Sequence, residues 1–248
     1  MFKKRQNYYN KKTNQVKLCG FLKSYDIALA VNLKVDYLGC NFFAKSPRYT
    51  SLKKALKLLN KINFDYLKRK NGQKTKLVAL FVDARFEEIK KVIKTKKFDI
   101  IQLHGKEKPA FILKLKRYIK SLKSSNFNQL HIWKVFTIKN QTEKQMQFLL
   151  KKYDKLCDAF ILDIPKQKDY TKGVGEFDSF TLFKNLNQNY NLILAGGLNP
   201  ENISKILKKS KAKIVDIASG VETRPGYKDF AKVRQILKIS KNSVSSDK

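Results

Sequence analysis

The residues of this sequence that could do chemistry sit where apolar runs stop. Cys19-Gly20 ends KLCG, His104-Gly105 ends IIQLHG, Asp163 ends AFILD, and Asp216 falls inside KIVDIASG. A thiol can act as general base or nucleophile, but it titrates near 8.5 when free, so work at neutral pH needs a cationic or dipolar neighbour. The other reading of Cys19 is a small buried hydrophobe, which is the reading taken for Cys40 and Cys157. Asp163 reads either as a functional carboxyl or as half of a rim salt bridge. Partial burial would raise its pKa and suit it to acid work. Arg48, in AKSPRY, draws notice because Arg supplies only seven of the 54 basic residues. Its fork matches a carboxylate or phosphate, and the alternative is a surface arginine.

A second group of residues suits an anion. Gly196-Gly197 closes NLILAGG and is followed by Asn199-Pro200. Asn199 suits a helix N-cap and Pro200 the first helical position. The glycines would let a ligand approach the backbone, beside the N–H groups of that helix end. Ser219-Gly220-Val221 offers another short nest of N–H groups. Either set alone could serve a tight turn; together they suggest a phosphate site, as between the last two loops of many barrels.

These residues need a scaffold that brings strand ends together. The sequence repeats an apolar run followed by an amphipathic stretch. The runs are 16–21, 35–43, 76–82, 98–105, 129–136, 158–164, 191–197 and 213–220. Each precedes a helical pattern, as in SLKKALKLLNKI, where Leu52, Leu56 and Leu59 share one face. Continuous apolar runs fit strands buried on both faces. Eight such units predict an α/β fold of the (β/α)8 TIM-barrel type, in a single domain. An open doubly wound sheet is the runner-up, disfavoured because the first loop lacks G-x-G-x-x-G. Residues 1–15 read as a basic tail, 16–240 as the barrel and 241–248 as a polar C-terminal tail. The polar stretches 60–76 and 121–129 read as rear connections.

The chain has 248 residues and a formal net charge of +34, which would suit a nucleic acid or an anionic surface. The shortage of Arg and the scatter of Lys weigh against that use and suit compositional drift. Three cysteines without a CxxC pair argue against disulfides and zinc, and for a reducing, cytoplasmic setting. No apolar run approaches the ~18 residues of a membrane span. The N-terminus lacks the apolar core of a secretory signal, leaving a solvated tail or an organellar transit remnant.

Seven segments carry a resemblance. KLCGF (17–21), NFFAKSPRY (41–49), LVALFVD (77–83), IIQLHG (100–105), AFILD (159–163), LILAGGLNPENI (192–203) and VDIASGVETRPGYKD (215–229) occur in this order. The chain resembles the phosphoribosylanthranilate isomerases from about Val16 to Leu237. The resemblance implies an Amadori rearrangement of N-(5-phosphoribosyl)anthranilate to 1-(2-carboxyphenylamino)-1-deoxyribulose 5-phosphate in tryptophan biosynthesis. It implies Asp163 as general acid, Cys19 as general base and Arg48 as holder of the anthranilate carboxylate. His104 and Asp216 would line the pocket, and Gly196, Gly197, Ser219 and Gly220 would hold the phosphate. Neither metal nor cofactor is implied. The expected partner is a small phosphosugar, with no specific nucleic acid and no membrane. A monomer or homodimer is expected, and loose association with neighbouring pathway enzymes is left open.

There are departures from the family's pattern. The loop after the sixth strand usually runs G-G-T-G-x-x-F-D; here residues 172–178 read KGVGEFD, one residue shorter, with an acid added and a Thr hydroxyl lost. Reduced turnover or affinity is the expectation. Ala218 stands where Ser is common, and the basic tail is extra. Two other functions compete. One is a barrel that has lost catalysis and binds polyanions. The other is another phosphosugar barrel, such as a metal-dependent epimerase, for which two histidines are a poor ligand supply.

Overall fold

A computed structural model describes residues 14–62, 74–122, 130–164 and 179–242. Eight strand–helix units follow one another: β1 (Gln15–Cys19), α1 (Ser24–Asn32), β2 (Tyr37–Asn41), α2 (Leu52–Leu59), β3 (Lys76–Phe81), α3 (Phe86–Lys94), β4 (Ile100–Leu103), α4 (Pro109–Ser121), β5 (His131–Thr137), α5 (Glu143–Tyr153), β6 (Ala159–Asp163), α6 (Ser179–Leu186), β7 (Leu192–Ala195), α7 (Ile203–Ser210), β8 (Ile214–Ile217) and α8 (Phe230–Asn242). A 3-10 turn (Ser219–Val221) and a small hairpin, β9 (Glu222–Arg224) and β10 (Tyr227–Lys228), lie between β8 and α8. The strands pair in chain order, all parallel, and β8 closes on β1. The open doubly wound alternative is thereby set aside.

Side chains alternate across each strand, so both faces must be filled. Leu18, Leu38, Phe81, Ile101 and Phe160 belong to the apolar layer shared with the helices. Tyr37, Val78, Ile100, Trp133, Ile161, Ile193 and Ile214 form a second cluster inside the ring. Trp133 is fully buried there, with Tyr37 edge-on to it at 5.1 Å. Further along the same inward faces the character changes. Asn41 follows Tyr37, Gln102 follows Ile100 and Asp216 follows Ile214. The ring is thus apolar low down and polar toward its C-terminal mouth.

The strand starts are fixed by a repeated device. Asp36, Asp99 and Asp158 precede β2, β4 and β6, and each accepts a backbone N–H at 2.8 Å from the preceding strand, at Val16, Leu77 and Ile132. Some boundaries differ from those read in the sequence. The first strand begins at Gln15 because its N–H donates to the Lys213 carbonyl and its side chain accepts from Tyr37, so Asn14 and Gln15 are buried rather than tail. At the other end α8 runs to Asn242, past residue 240. Residues 63–73 and 123–129, most of the expected rear connections, lie outside the described residues, as does the altered loop 172–178.

Candidate active site

A cavity of about 610 Å³ opens at the C-terminal ends of the strands. Cys19, Arg48, His104, Asp163, Gly196, Gly197, Asp216, Ser219 and Gly220 all line it. Every site residue expected from the sequence is therefore brought to one place. Cys19 ends β1 and Asp163 ends β6, three strands away round the ring through β8 and β7. The two groups face a common space from different walls.

Cys19 is 6% exposed, and Gly39 beside it makes room for the sulfur, since a Cβ there would crowd Sγ. Burial pushes the thiol above its ordinary value, while the nearby Lys17 ammonium pulls the other way. Lys17 projects from the same strand face, two residues earlier. Its Nζ lies 2.7 Å from Asp216 Oδ2, and its charge acts on the neighbouring Cys19 thiol. Burial works against the Lys17 charge, yet Asp216 and Cys19 outweigh it and raise the group above its usual value. On the far wall, Asp163 Oδ2 is 3.7 Å from His104 Nε2, and both side chains are about one-third exposed.

Arg48 does not present an unoccupied fork. Its Nε and Nη2 clasp Glu222 at 3.0 and 2.6 Å, which leaves the other guanidinium edge for a ligand. The hydrogen bond to Glu222 holds Arg48 above its ordinary value. Burial pushes Glu222 up, but Arg48 and Lys228 overcome this and hold its carboxyl below the usual range. Lys228 Nζ bonds Glu222 at 2.7 Å and the Cys19 carbonyl at 2.5 Å. Burial dominates at Lys228 and lowers it. Glu222 thus fixes the arginine, and Lys228 ties the β9–β10 hairpin to the strand that carries the thiol.

The glycine loops meet tightly. Gly196 has φ +107°, and a Cβ there would strike the Ile164 carbonyl; one at Gly220 would strike the Leu198 carbonyl. These residues are glycine because the β6, β7 and β8 loops have no room for more. The expected start of the seventh helix needs correction. Asn199 does cap a turn, accepting from the Asn202 N–H at 2.9 Å while Asn202 caps it in return at 3.0 Å. The regular helix, however, begins at Ile203, with Asn202 as the residue before it. Ser219 and Gly220 lie on a 3-10 turn that follows β8.

Sequence reasoning passed over Lys17, Asn41, Gln102, Glu222 and Lys228. Lys17 was signalled by its spacing, since a lysine two residues before the thiol must share its face. Glu222 and Lys228 lay within a quoted segment, but no local pattern showed their partners. Among the described residues, no group of three or more His, Cys, Asp or Glu is placed to hold a metal. None of the described helices is long and apolar enough to cross a membrane.

Residues 16–239 match the family described as N-(5'phosphoribosyl)anthranilate (PRA) isomerase. The chain belongs to the phosphoribosylanthranilate isomerase family. A relative in the family from Thermoanaerobacter pseudethanolicus is 32% identical over 225 residues, covering 90% of this chain and 96% of its own length. A monomer generated from the dimeric phosphoribosylanthranilate isomerase of Thermotoga maritima superimposes with a TM-score of 0.70 at 26% identity, over 92% of this chain and 99% of that one. A further solved isomerase, at 25% identity and TM-score 0.68, covers 92% of this chain and 98% of its own, and holds reduced 1-(o-carboxyphenylamino)-1-deoxyribulose 5-phosphate. Membership of the isomerase family decides among the functions weighed from the sequence: the chain is an isomerase of tryptophan biosynthesis, not a metal-dependent epimerase or an inactive barrel.

Proposed function

We propose that Cys19 and Asp163 divide the Amadori rearrangement of N-(5'-phosphoribosyl)anthranilate between them, as base and acid. The observation that carries this reading is that both line one cavity with the two glycine loops. The phosphate lies at Gly196, Gly197, Ser219 and Gly220, and the free edge of Arg48 takes the anthranilate carboxylate. His104 and Asp216 complete the walls.

The steps balance without an external electron carrier. Asp163 gives its proton to the furanose ring oxygen as the bond from that oxygen to C1 breaks. The nitrogen lone pair forms the C1=N bond of a cationic Schiff base. Cys19 removes the C2 proton; that electron pair becomes the C1=C2 bond, and the C=N pair returns to nitrogen. The resulting enolamine loses its enol O–H proton and gains one at C1, giving the ketone. The iminium nitrogen is the electron sink. His104, 3.7 Å from Asp163, stands where a protonated imidazole would stabilise the carboxylate left behind.

The substrate fluoresces and the product does not, so loss of fluorescence follows turnover. Cys19→Ser and Asp163→Asn each remove a proton-transfer group and should lower kcat roughly 10²–10⁴-fold. Near-normal rates in both variants would overturn the assignment. The proposal extends to a cytoplasmic enzyme, monomeric or homodimeric, in loose contact with neighbouring pathway enzymes. Light scattering of the purified chain, alone and mixed with those enzymes, reads the assembly directly.

A further inference from the structure

We infer that Lys17 is a positioning residue of the reaction: its buried ammonium, braced by Asp216, supplies the positive charge against which the Cys19 sulfur becomes an anion. The inference rests on the reading of Cys19 as base and adds the group that makes the sulfur competent.

The geometry argues for this use. Lys17 and Cys19 are two residues apart on β1, so both project into the ring, about 6.6 Å apart along the strand. The four-carbon stem of lysine spans that step. Its side chain has no solvent exposure, its Nζ is 2.7 Å from Asp216 Oδ2, and it projects from the same strand face as the thiol, two residues away. Filling the ring does not need an ion; an apolar side chain of similar volume would do so without the desolvation cost of two charges. The second oxygen of Asp216, Oδ1, is buried and has no hydrogen-bond partner among the described residues. The pair is therefore not closed on itself, and Asp216 lines the same cavity as Cys19.

Other groups around the sulfur do not replace it. Lys228, from β10, reaches the Cys19 carbonyl rather than Sγ and is committed to Glu222. Arg48, from the loop after β2, is held by Glu222 and lies farther along the wall. Cys40, on β2, is an uncharged thiol pushed up to about 12 by burial. Asp216, on β8, opposes the thiolate, and Lys17 stands between the two negative centres. When Cys19 takes the C2 proton, the negative charge leaves the sulfur, and the ammonium remains paired with Asp216. The sulfur thus cycles between anion and thiol while Lys17 keeps its proton.

The test reads the sulfur itself. The purified enzyme is treated with iodoacetamide over a range of pH, and alkylation of the Cys19 peptide is followed by mass spectrometry, which separates it from Cys40 and Cys157. Lys17→Met should move the alkylation midpoint up by about one to three pH units, the size expected for losing an adjacent opposite charge. At neutral pH kcat should fall roughly 10- to 1000-fold in proportion, with KM little changed, and should recover as pH rises. A merely structural lysine would lower both stability and rate without moving the midpoint. If Lys17→Met does not fold, Lys17→Gln, which can still donate to Asp216, removes the charge alone and reads the same midpoint, again expected to rise. An unmoved midpoint in whichever variant is folded overturns the inference. Normal turnover by Cys19→Ser would instead remove Cys19 as base, while the alkylation midpoint would still decide whether Lys17 governs the sulfur.

Discussion

Two buried lysines of this barrel have opposite surroundings. Lys134, on the outer face of β5, is 2% exposed and saturated with acceptors. It reaches Glu107 at 3.1 Å and the carbonyls of Leu103, Gly105 and Val135 at 3.3, 2.7 and 3.1 Å. Glu107 in turn accepts from the backbone N–H groups of Asp83 and Gly105. Lys17 inside the ring has one carboxylate partner, Asp216, whose second oxygen has no hydrogen-bond partner among the described residues. A buried ion pair with every valence met locks the loops after β3 and β4, and through them the backbone of His104. A pair with valences to spare faces the reaction. Satisfaction, more than burial, separates a structural charge from a working one.

Breaking the saturated pair tests the first half of that contrast. Lys134→Met leaves Glu107 buried without its cation and should cost about 3–5 kcal/mol of stability, read by chemical denaturation. The pH profile of kcat in the folded fraction should stay where it is; a moved profile would erase the distinction between the two lysines. A smaller effect is expected at the third cluster. Arg48→Lys loses a bidentate fork and a charged hydrogen bond of roughly 1.5–3 kcal/mol, so KM should rise about 10- to 100-fold with less change in kcat. Equal losses in both constants would mean that Arg48 acts mainly by holding Glu222.

The pH dependence sharpens the comparison further. Burial raises Cys19, so kcat/KM should keep climbing above the ~8.5 of a free thiol before it levels. A rate that levels at or below neutral pH would contradict a buried thiol base. Glu222 is shifted in the opposite sense. Its folded value is depressed, so the stabilisation it contributes is complete above the ordinary value near 4.3 and is lost as pH falls through the depressed one. From about pH 5 downward, Glu222→Gln should show a flatter fall in thermal midpoint than the parent chain. The smallest change belongs to the surface: Lys120→Gln, on the exposed side of α4, should shift stability by no more than about 0.5 kcal/mol and leave turnover alone.

The alternation of apolar runs with amphipathic stretches was enough to read the barrel, because each strand is covered on both faces and each helix on one. Cys19, Asp163 and the Gly196 and Gly220 loops were legible for the same reason: each closes or follows a strand. The spacing of Lys17 showed its face but not its partner, since Asp216 is 199 residues away and meets it only where β8 closes on β1. Glu222 and Lys228 escaped for a related reason. A short hairpin folds back on a strand from the other end of the chain, and no spacing along the sequence announces that.

The hairpin's grip on the Cys19 carbonyl has a consequence for how the enzyme is made. The sulfur leaves the ribosome well before Asp216, Glu222 and Lys228. Until the ring closes, Cys19 lacks these three groups, and Lys17 lacks its carboxylate partner. The full charge set around the thiol is therefore assembled only when the last strand and the hairpin dock.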